Sequence, residues 1–277
     1  MSFLFGLSVL GLNAQVIVTE EHHEFTPEAY WQEVDFSDTA LTHSSSFDDK
    51  MVEFLYRFTC SNQESFDPQS YFGVAFLLEK AKVNMRVYEH VLEFLLNGYS
   101  NMGKSQIVDY LLTYPTLVEG EISMVEGLRL DSITEPYQKV KVGAQAPEFE
   151  GSTIDGKMYR LCDSKAKRII VVFWSTDCEY CHDFLTQIRK RLNLKSDYEL
   201  VTFALADNQE EVSLTVKKMR LPGYHFYDEL RWESKPFLDY HITSTPTVFL
   251  LDSKKNIVCK PYDWLELKDW IRNKKQK

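Results

Sequence analysis

Residues 168–174, Arg-Ile-Ile-Val-Val-Phe-Trp, form a nearly unbroken apolar run rich in β-branched and aromatic side chains. As a strand, such a run has no polar face to give to water. It needs cover on both sides, as a central strand layered between helices has. Ser175, Thr176 and Asp177 follow, and then the pair Cys178-Glu179-Tyr180-Cys181. Phe184, Leu185, Ile188 and Leu192 next recur at helical spacing. The two cysteines therefore sit at a strand-to-helix turn, where a disulfide can open and close without moving the scaffold. Unpaired amide N–H groups and the helix dipole favour a thiolate at such a helix start. Cys178, at the exposed end of the turn, reads as the attacking thiol. Cys181, one turn inside, reads as the resolving one.

The neighbouring segments supply the rest of a sheet. Leu200–Ala206 reads as a second buried strand and Glu210–Met219 as a second helix. Thr247–Leu251 and Ile257–Lys260 read as two further strands, joined by the turn Asp252-Ser253-Lys254-Lys255-Asn256. Asp263, with Glu266 three residues on, caps a final helix running through Trp270. Upstream, Asp155-Gly156 between Phe149 and Met158-Tyr159 is a hairpin signal. Alternating strands and helices predict an α/β sheet with helices on its faces.

Three stretches carry a family resemblance. They are Val142-Gly143-Ala144-Gln145-Ala146-Pro147-Glu148-Phe149, then Asp155-Gly156-Lys157, then Val172 through Cys181. Together they resemble the exported thioredoxin-like proteins of the TlpA/ResA type, over roughly residues 141–277. Thr243-Ser244-Thr245-Pro246-Thr247-Val248-Phe249-Leu250 is similar to the segment carrying their cis-proline. The resemblance implies a thioredoxin-like fold, a central mixed β-sheet flanked by helices. It implies a thiol–disulfide oxidoreductase with catalytic Cys178 and Cys181. Thr245, Pro246 and Trp174 would then contact substrate, the Thr245-Pro246 edge staying open beside Cys178 for a peptide. The redox centre would be the Cys178–Cys181 disulfide itself, with no separate cofactor and no metal. The partners implied are protein thiol or disulfide substrates and an upstream electron donor, with reduction of substrate as the direction.

Two departures from the family pattern concern the dithiol. Asp177 stands where thioredoxins usually have Trp, and Asp177 and Glu179 flank Cys178 with negative charge that opposes the helix dipole. Ser152 occupies a position where the family often keeps a buried acid, leaving Glu150 and Asp155 as nearby candidates for proton transfer.

The first half of the chain has a helical pattern. Asp48 or Asp49 can cap a helix placing Met51, Phe54, Leu55 and Phe58 on one face. Pro68 opens the next, followed by Phe72, Ala75, Phe76 and Glu79 at helical spacing. Val87, Val91, Phe94 and Leu95 mark a third, ending near Asn97-Gly98. Ile107, Val108, Leu111 and Leu112 mark a fourth, stopped before Pro115. After Leu130 the pattern changes, and Glu135-Pro136 and Lys139–Pro147 read as a linker. The expected organisation is a signal peptide over 1–14, an all-α N-terminal domain over 15–135 and a thioredoxin-like domain over 141–277. His22, His23 and His43 lack metal-ligand spacing.

Phe3–Leu12 is apolar and uncharged but too short to span a bilayer, and Leu12-Asn13-Ala14 resembles a cleavage site before Gln15. It lacks the usual basic n-region. The reading is an exported protein, periplasmic in a Gram-negative bacterium, with no membrane span in the mature chain. A net charge of −10 argues against nucleic acid as a partner. The basic residues Lys268, Arg272, Lys274, Lys275 and Lys277 suit the last turns of a helix. Of the five cysteines, Cys60, Cys162 and Cys259 read as core thiols.

Rival readings use the same residues. Cys178-Glu179-Tyr180-Cys181-His182 fits the haem attachment pattern, but the buried strand before it and the helix after it argue against that. Zinc would need a second close ligand pair. A thiol peroxidase would want an upstream Pro and Thr, and the position seven before Cys178 is Val171. A helical interaction protein with a non-cycling disulfide gains little, because so short a loop yields little entropic stabilisation.

Overall fold

The computed structural model describes residues 26–59, 68–113, 124–192 and 198–274. The described residues up to Val34 belong to a unit separate from the rest of the chain. Its described part is a short helix, α1 (Pro27–Trp31), whose start is capped by Thr26 Oγ1 accepting the Ala29 N–H at 3.2 Å. From Asp35 to the C-terminus the chain is a second unit, and everything below concerns that unit. The leader-like stretch, His22, His23, Cys60, Lys275 and Lys277 lie outside the described residues.

Among the described residues of this unit, five α-helices precede the sheet: α2 (Ser45–Thr59), α3 (Pro68–Ala81), α4 (Met85–Asn101), α5 (Ser105–Thr113) and α6 (Met124–Lys139). α4 is the hub, touching α2, α3, α5 and α6 through fully buried Val87, Val91, Leu92, Leu95 and Leu96. Four sequence expectations change here. Ser44, not Asp48 or Asp49, caps α2: its Oγ accepts the Phe47 N–H at 3.3 Å, and Asp48 instead meets His90 Nε2 at 2.8 Å. α3 buries Val74, Leu77, Leu78 and Ala81, while Phe72 is 54% exposed. That helix is apolar on more than one side, so its periodicity fits two stripes, and the aliphatic one packs. α4 continues past Gly98, because a Cβ there would fall 2.5 Å from Leu55 Cδ1. The glycine marks a close helix crossing and not a helix end. Finally, α6 runs through Glu135 and Pro136 to Lys139, so no linker interrupts it. A proline in the last turn forfeits one backbone bond. Buried Tyr137 and Val140 hold the helix end in place, and the Tyr137 hydroxyl donates to Asn97 Oδ1 at 2.7 Å.

The second half is a thioredoxin-like fold. A two-stranded hairpin, β1 (Glu150–Ser152) with β2 (Met158–Arg160), leads to a five-stranded sheet. Its strands are β3 (Arg168–Ser175), β4 (Glu199–Leu205), β5 (Tyr224–Tyr227), β6 (Thr247–Asp252) and β7 (Ile257–Cys259), in the order β5-β4-β3-β6-β7. β5, β4 and β3 are parallel to one another, β6 runs antiparallel to β3, and β7 antiparallel to β6. The helices α7 (Glu179–Arg191), α8 (Gln209–Met219) and α10 (Trp264–Lys274) cover one face, where Ile170, Val172 and Trp174 meet Leu185, Val212 and Leu267. On the opposite face Val171, Phe173 and Phe203 pack with Phe149 and Tyr159 of the hairpin region. Phe237 of the short helix α9 (Lys235–Asp239) and Tyr240 complete that layer. Asp263 caps the helix as expected, its Oδ1 accepting the Glu266 N–H at 2.9 Å, while Glu266 Oε2 reaches one residue further back and accepts the Tyr262 N–H at 2.8 Å.

Strand β5 has no counterpart in the sequence reading. Its four residues are too few for a periodic signal, and His225 looks polar. In the fold His225 is buried, with Nδ1 2.9 Å from Thr202 Oγ1. The strand is admitted by Gly223, whose φ is +112° and whose absent Cβ would fall 2.1 Å from the Leu200 carbonyl oxygen. Gly223→Ala is therefore expected to lower the unfolding free energy by about 2–4 kcal/mol. Denaturant titration of both proteins checks this, and superimposable curves would contradict it.

Candidate active site

The site is assembled at one end of the sheet. β3 pairs in parallel with β4, Ser175 opposite Leu205, and beyond it Thr176 is pinned by its N–H donating to the Leu205 carbonyl at 3.1 Å. The next turn is tight, with the Cys178 N–H donating to the Ser175 carbonyl at 3.2 Å. Cys178 is then the N-cap residue of α7, and its Sγ accepts the Cys181 N–H at 3.1 Å. Sulfur here occupies the place where an oxygen usually caps a helix, so developing negative charge on Sγ meets a donor and the positive helix end.

Cys178 and Cys181 form a disulfide with a Cα–Cα distance of 5.2 Å. Cys178 is partly exposed and Cys181 is fully buried. That asymmetry makes Cys178 the sulfur that an incoming disulfide can reach. β6 starts at the same end of the sheet, because it pairs antiparallel to β3 with Thr247 opposite Phe173. The loop just before it therefore lies against the dithiol: the Thr245–Pro246 bond is cis, and the Thr245 carbonyl oxygen is 3.9 Å from Cys178 Sγ.

Not every residue named from the sequence joins this cluster. Trp174 is fully buried in the layer beneath α7. It backs the dithiol from inside, its ring 6.0 Å from that of His182, and has no surface to offer a substrate. Asp177 and Glu179 are exposed beside Cys178, and Tyr180 between the cysteines is 84% exposed. Glu150 and Asp155 are engaged in the hairpin, with Arg160 at 2.6 Å and with Lys157 at 2.6 Å. Cys162 is exposed, contrary to its reading as a core thiol, because it follows buried Leu161 in a single helical turn at the sheet edge. Cys259 is buried, and burial raises its thiol pKa to about 12.

Sequence reasoning missed the pocket beside the loop that carries Thr245 and Pro246. Residues of the helical segment (Asn101, Asp109, Tyr137) and of the sheet domain (His241, Pro246, Lys260) line a cavity of about 60 Å³. Lys260 lies with Nζ 5.3 Å from the Phe249 ring centre. Burial lowers its pKa to about 8, with Asp109 acting in the opposite direction. Burial likewise raises Asp109 and lowers His241. No motif announces these residues, because they meet only through contacts between distant parts of the chain. Among the described residues no cluster of three or more His, Cys, Asp or Glu side chains could hold a metal. No described helix is long and apolar enough to cross a membrane.

Known proteins share this architecture. Residues 142–260 match the AhpC/TSA family model. The thioredoxin-like protein YneN of Bacillus subtilis (strain 168) is 28% identical over 130 residues, covering 44% of this chain and 75% of that protein. The thiol-disulfide oxidoreductase ResA of Bacillus thuringiensis (strain Al Hakam) is 25% identical over 122 residues, covering 44% of this chain and 69% of its own length. A thioredoxin-like protein from Bacteroides caccae ATCC 43185 superposes with a TM-score of 0.57 at 15% identity. That superposition covers 99% of both chains, so the likeness in fold includes the helical segment.

Two predictions follow from the titratable groups. Alkylation of the native protein with peptide mapping is expected to modify Cys162 increasingly from pH 8 to 9.5 while sparing Cys259 until the chain unfolds; modification of native Cys259 would contradict its burial. Lys260 releases its proton near pH 8 when folded, against an ordinary value of 10.5. The unfolded chain thus binds more protons across that window, so stability rises with pH through it. Relative to Lys260→Met, the wild type should gain about 1–2 kcal/mol between pH 8 and 9.5. Parallel pH profiles of the two proteins would refute it.

Proposed function

We propose that this chain, whose C-terminal half is a TlpA/ResA-like thioredoxin-fold domain, is a thiol–disulfide oxidoreductase that exchanges an electron pair with disulfides of substrate proteins. The observation that carries this reading is the placement of a partly exposed Cys178 at the N-terminus of α7, its Sγ 3.1 Å from the Cys181 amide nitrogen, with Cys181 fully buried.

The steps balance without a cofactor. In the reduced protein the Cys178 thiolate attacks one sulfur of a substrate disulfide. A Cys178–substrate disulfide forms, and the substrate's other sulfur leaves as a thiolate that takes a proton. Cys181 then loses its proton and attacks Cys178 Sγ. The mixed disulfide breaks, the second substrate thiol is released, and the Cys178–Cys181 disulfide results. The substrate has gained two electrons and two protons, and the dithiol has lost them. An upstream dithiol donor restores the protein by the same exchange in reverse. Direction toward substrate reduction is part of the proposal and rests on the family resemblance. An exported, periplasmic location is supported by the apolar stretch ahead of Gln15.

The docking surface in this reading is the edge around Thr245 and Pro246. A peptide bearing the target disulfide would lie beside the Thr245 carbonyl, in line with Cys178. The cysteine variants separate the two roles. With insulin as substrate and dithiothreitol as donor, Cys178→Ser is expected to reduce turnover to the uncatalysed rate. Cys181→Ser should instead accumulate mixed disulfides that reducing agent dissolves, visible on a non-reducing gel. Full activity in Cys178→Ser would sink the assignment.

A further inference from the structure

The docking loop is not held by the sheet domain alone. Asn101, the last residue of α4, reaches across to it. The Thr243 hydroxyl donates to Asn101 Oδ1 at 2.8 Å and the Ser244 hydroxyl to the same oxygen at 3.2 Å. One side chain of the helical segment thus ties down the two residues immediately before Thr245 and Pro246. The loop is also closed on itself, the Thr247 hydroxyl donating to the Ser244 carbonyl at 2.7 Å. Its earlier part is bracketed as well. The Tyr137 ring of α6 packs edge-on against His241 with centroids 4.4 Å apart, and Tyr137 is itself anchored to Asn97 of α4. His241 holds a left-handed backbone, φ +50°, a conformation that a non-glycine residue keeps only when its surroundings impose it. Thr243, Ser244 and Pro246 line a cavity of about 60 Å³ together with Asn101, which leaves the loop room to shift if these ties are cut.

We propose that Asn101 is a positioning residue for thiol–disulfide exchange: the helical segment, through this one acceptor oxygen, fixes the loop that presents the Thr245 edge to a substrate peptide at Cys178. This rests on the exchange reading above and adds to it a task for the helical segment. Asn101 touches neither sulfur. It acts through Thr243 and Ser244, so its loss affects peptide docking before it affects sulfur chemistry. A protein substrate needs the ordered edge. A small disulfide needs only access to Cys178 Sγ.

The test compares the full-length wild type with Asn101→Leu, which removes the acceptor, and Asn101→Asp, which keeps an acceptor oxygen for both hydroxyls. Insulin reduction and reaction of the reduced protein with a small aromatic disulfide are measured side by side. Hydrogen exchange is followed for a peptide spanning residues 242–248. Asn101→Leu is expected to raise KM for insulin about fivefold or more with little change in kcat, and to leave the small-disulfide rate within about twofold. Exchange in 242–248 should speed up, while the first turns of α7 stay as protected as in the wild type. Asn101→Asp should restore both KM and exchange. Unchanged KM and exchange in Asn101→Leu would overturn the proposal, and so would equal impairment of the two variants or a parallel fall in the small-disulfide rate. A wild type that reduced neither substrate would remove the exchange reading itself, and the positioning role with it. The exchange data would still report whether Asn101 orders the loop.

Discussion

The site depends on the two-sided pairing of β3. Its parallel partner β4 and antiparallel partner β6 are set in register, Ser175 opposite Leu205 and Phe173 opposite Thr247. Because β6 runs against β3, its start lies where β3 ends, and residues 67 apart in sequence become neighbours at Cys178 and Thr245. Ile170, Val172 and Trp174 on one face of β3, and Ile169, Val171 and Phe173 on the other, are fully buried. A one-residue slip would exchange the two sets between unlike layers, one mostly aliphatic and covered by helices, the other rich in aromatic rings. Burial on both sides therefore fixes the register, and the register fixes the geometry of the dithiol.

Whatever is local in this arrangement could be read from the sequence. The apolar run, the helical spacing after it and the Thr-Pro pair before β6 are each short patterns with a direct physical meaning. The capping pair Asp263 and Glu266 is of the same kind. What escaped is set by long-range packing. Gly98 reads as a stop until α2 is seen crossing at that point. Pro136 reads as a break until Tyr137 is seen anchoring the helix end. β5 is a four-residue edge strand that only its neighbour β4 defines. Trp174 adjoins the motif in sequence, but it belongs to a strand buried on both faces and so lies in the core.

Asn101 shows the same limit at the site itself. It stands 142 residues from Thr243, at the end of a helix with no chemical motif. In the fold its contact ties the helical segment to the loop that carries Thr245 and Pro246. The single compact unit from Asp35 onward is consistent with that continuity. The polar wall behind the loop, with Lys260 and Asp109 both shifted toward their neutral forms by burial, belongs to the same junction. Asp109 of α5 and Lys260, directly after β7, line one cavity there, so the helices meet the sheet that carries the dithiol.

The central claim is that Cys178 and Cys181 cycle between dithiol and disulfide. Equilibrating the purified protein in glutathione or dithiothreitol buffers of graded potential, and trapping free thiols by mass shift, tests it most directly. The account predicts a single two-electron transition confined to the Cys178–Cys181 pair. It should fall between about −270 and −120 mV, toward the reducing end. A pair that stays oxidised across that whole range, or a transition that maps to other cysteines, would contradict it.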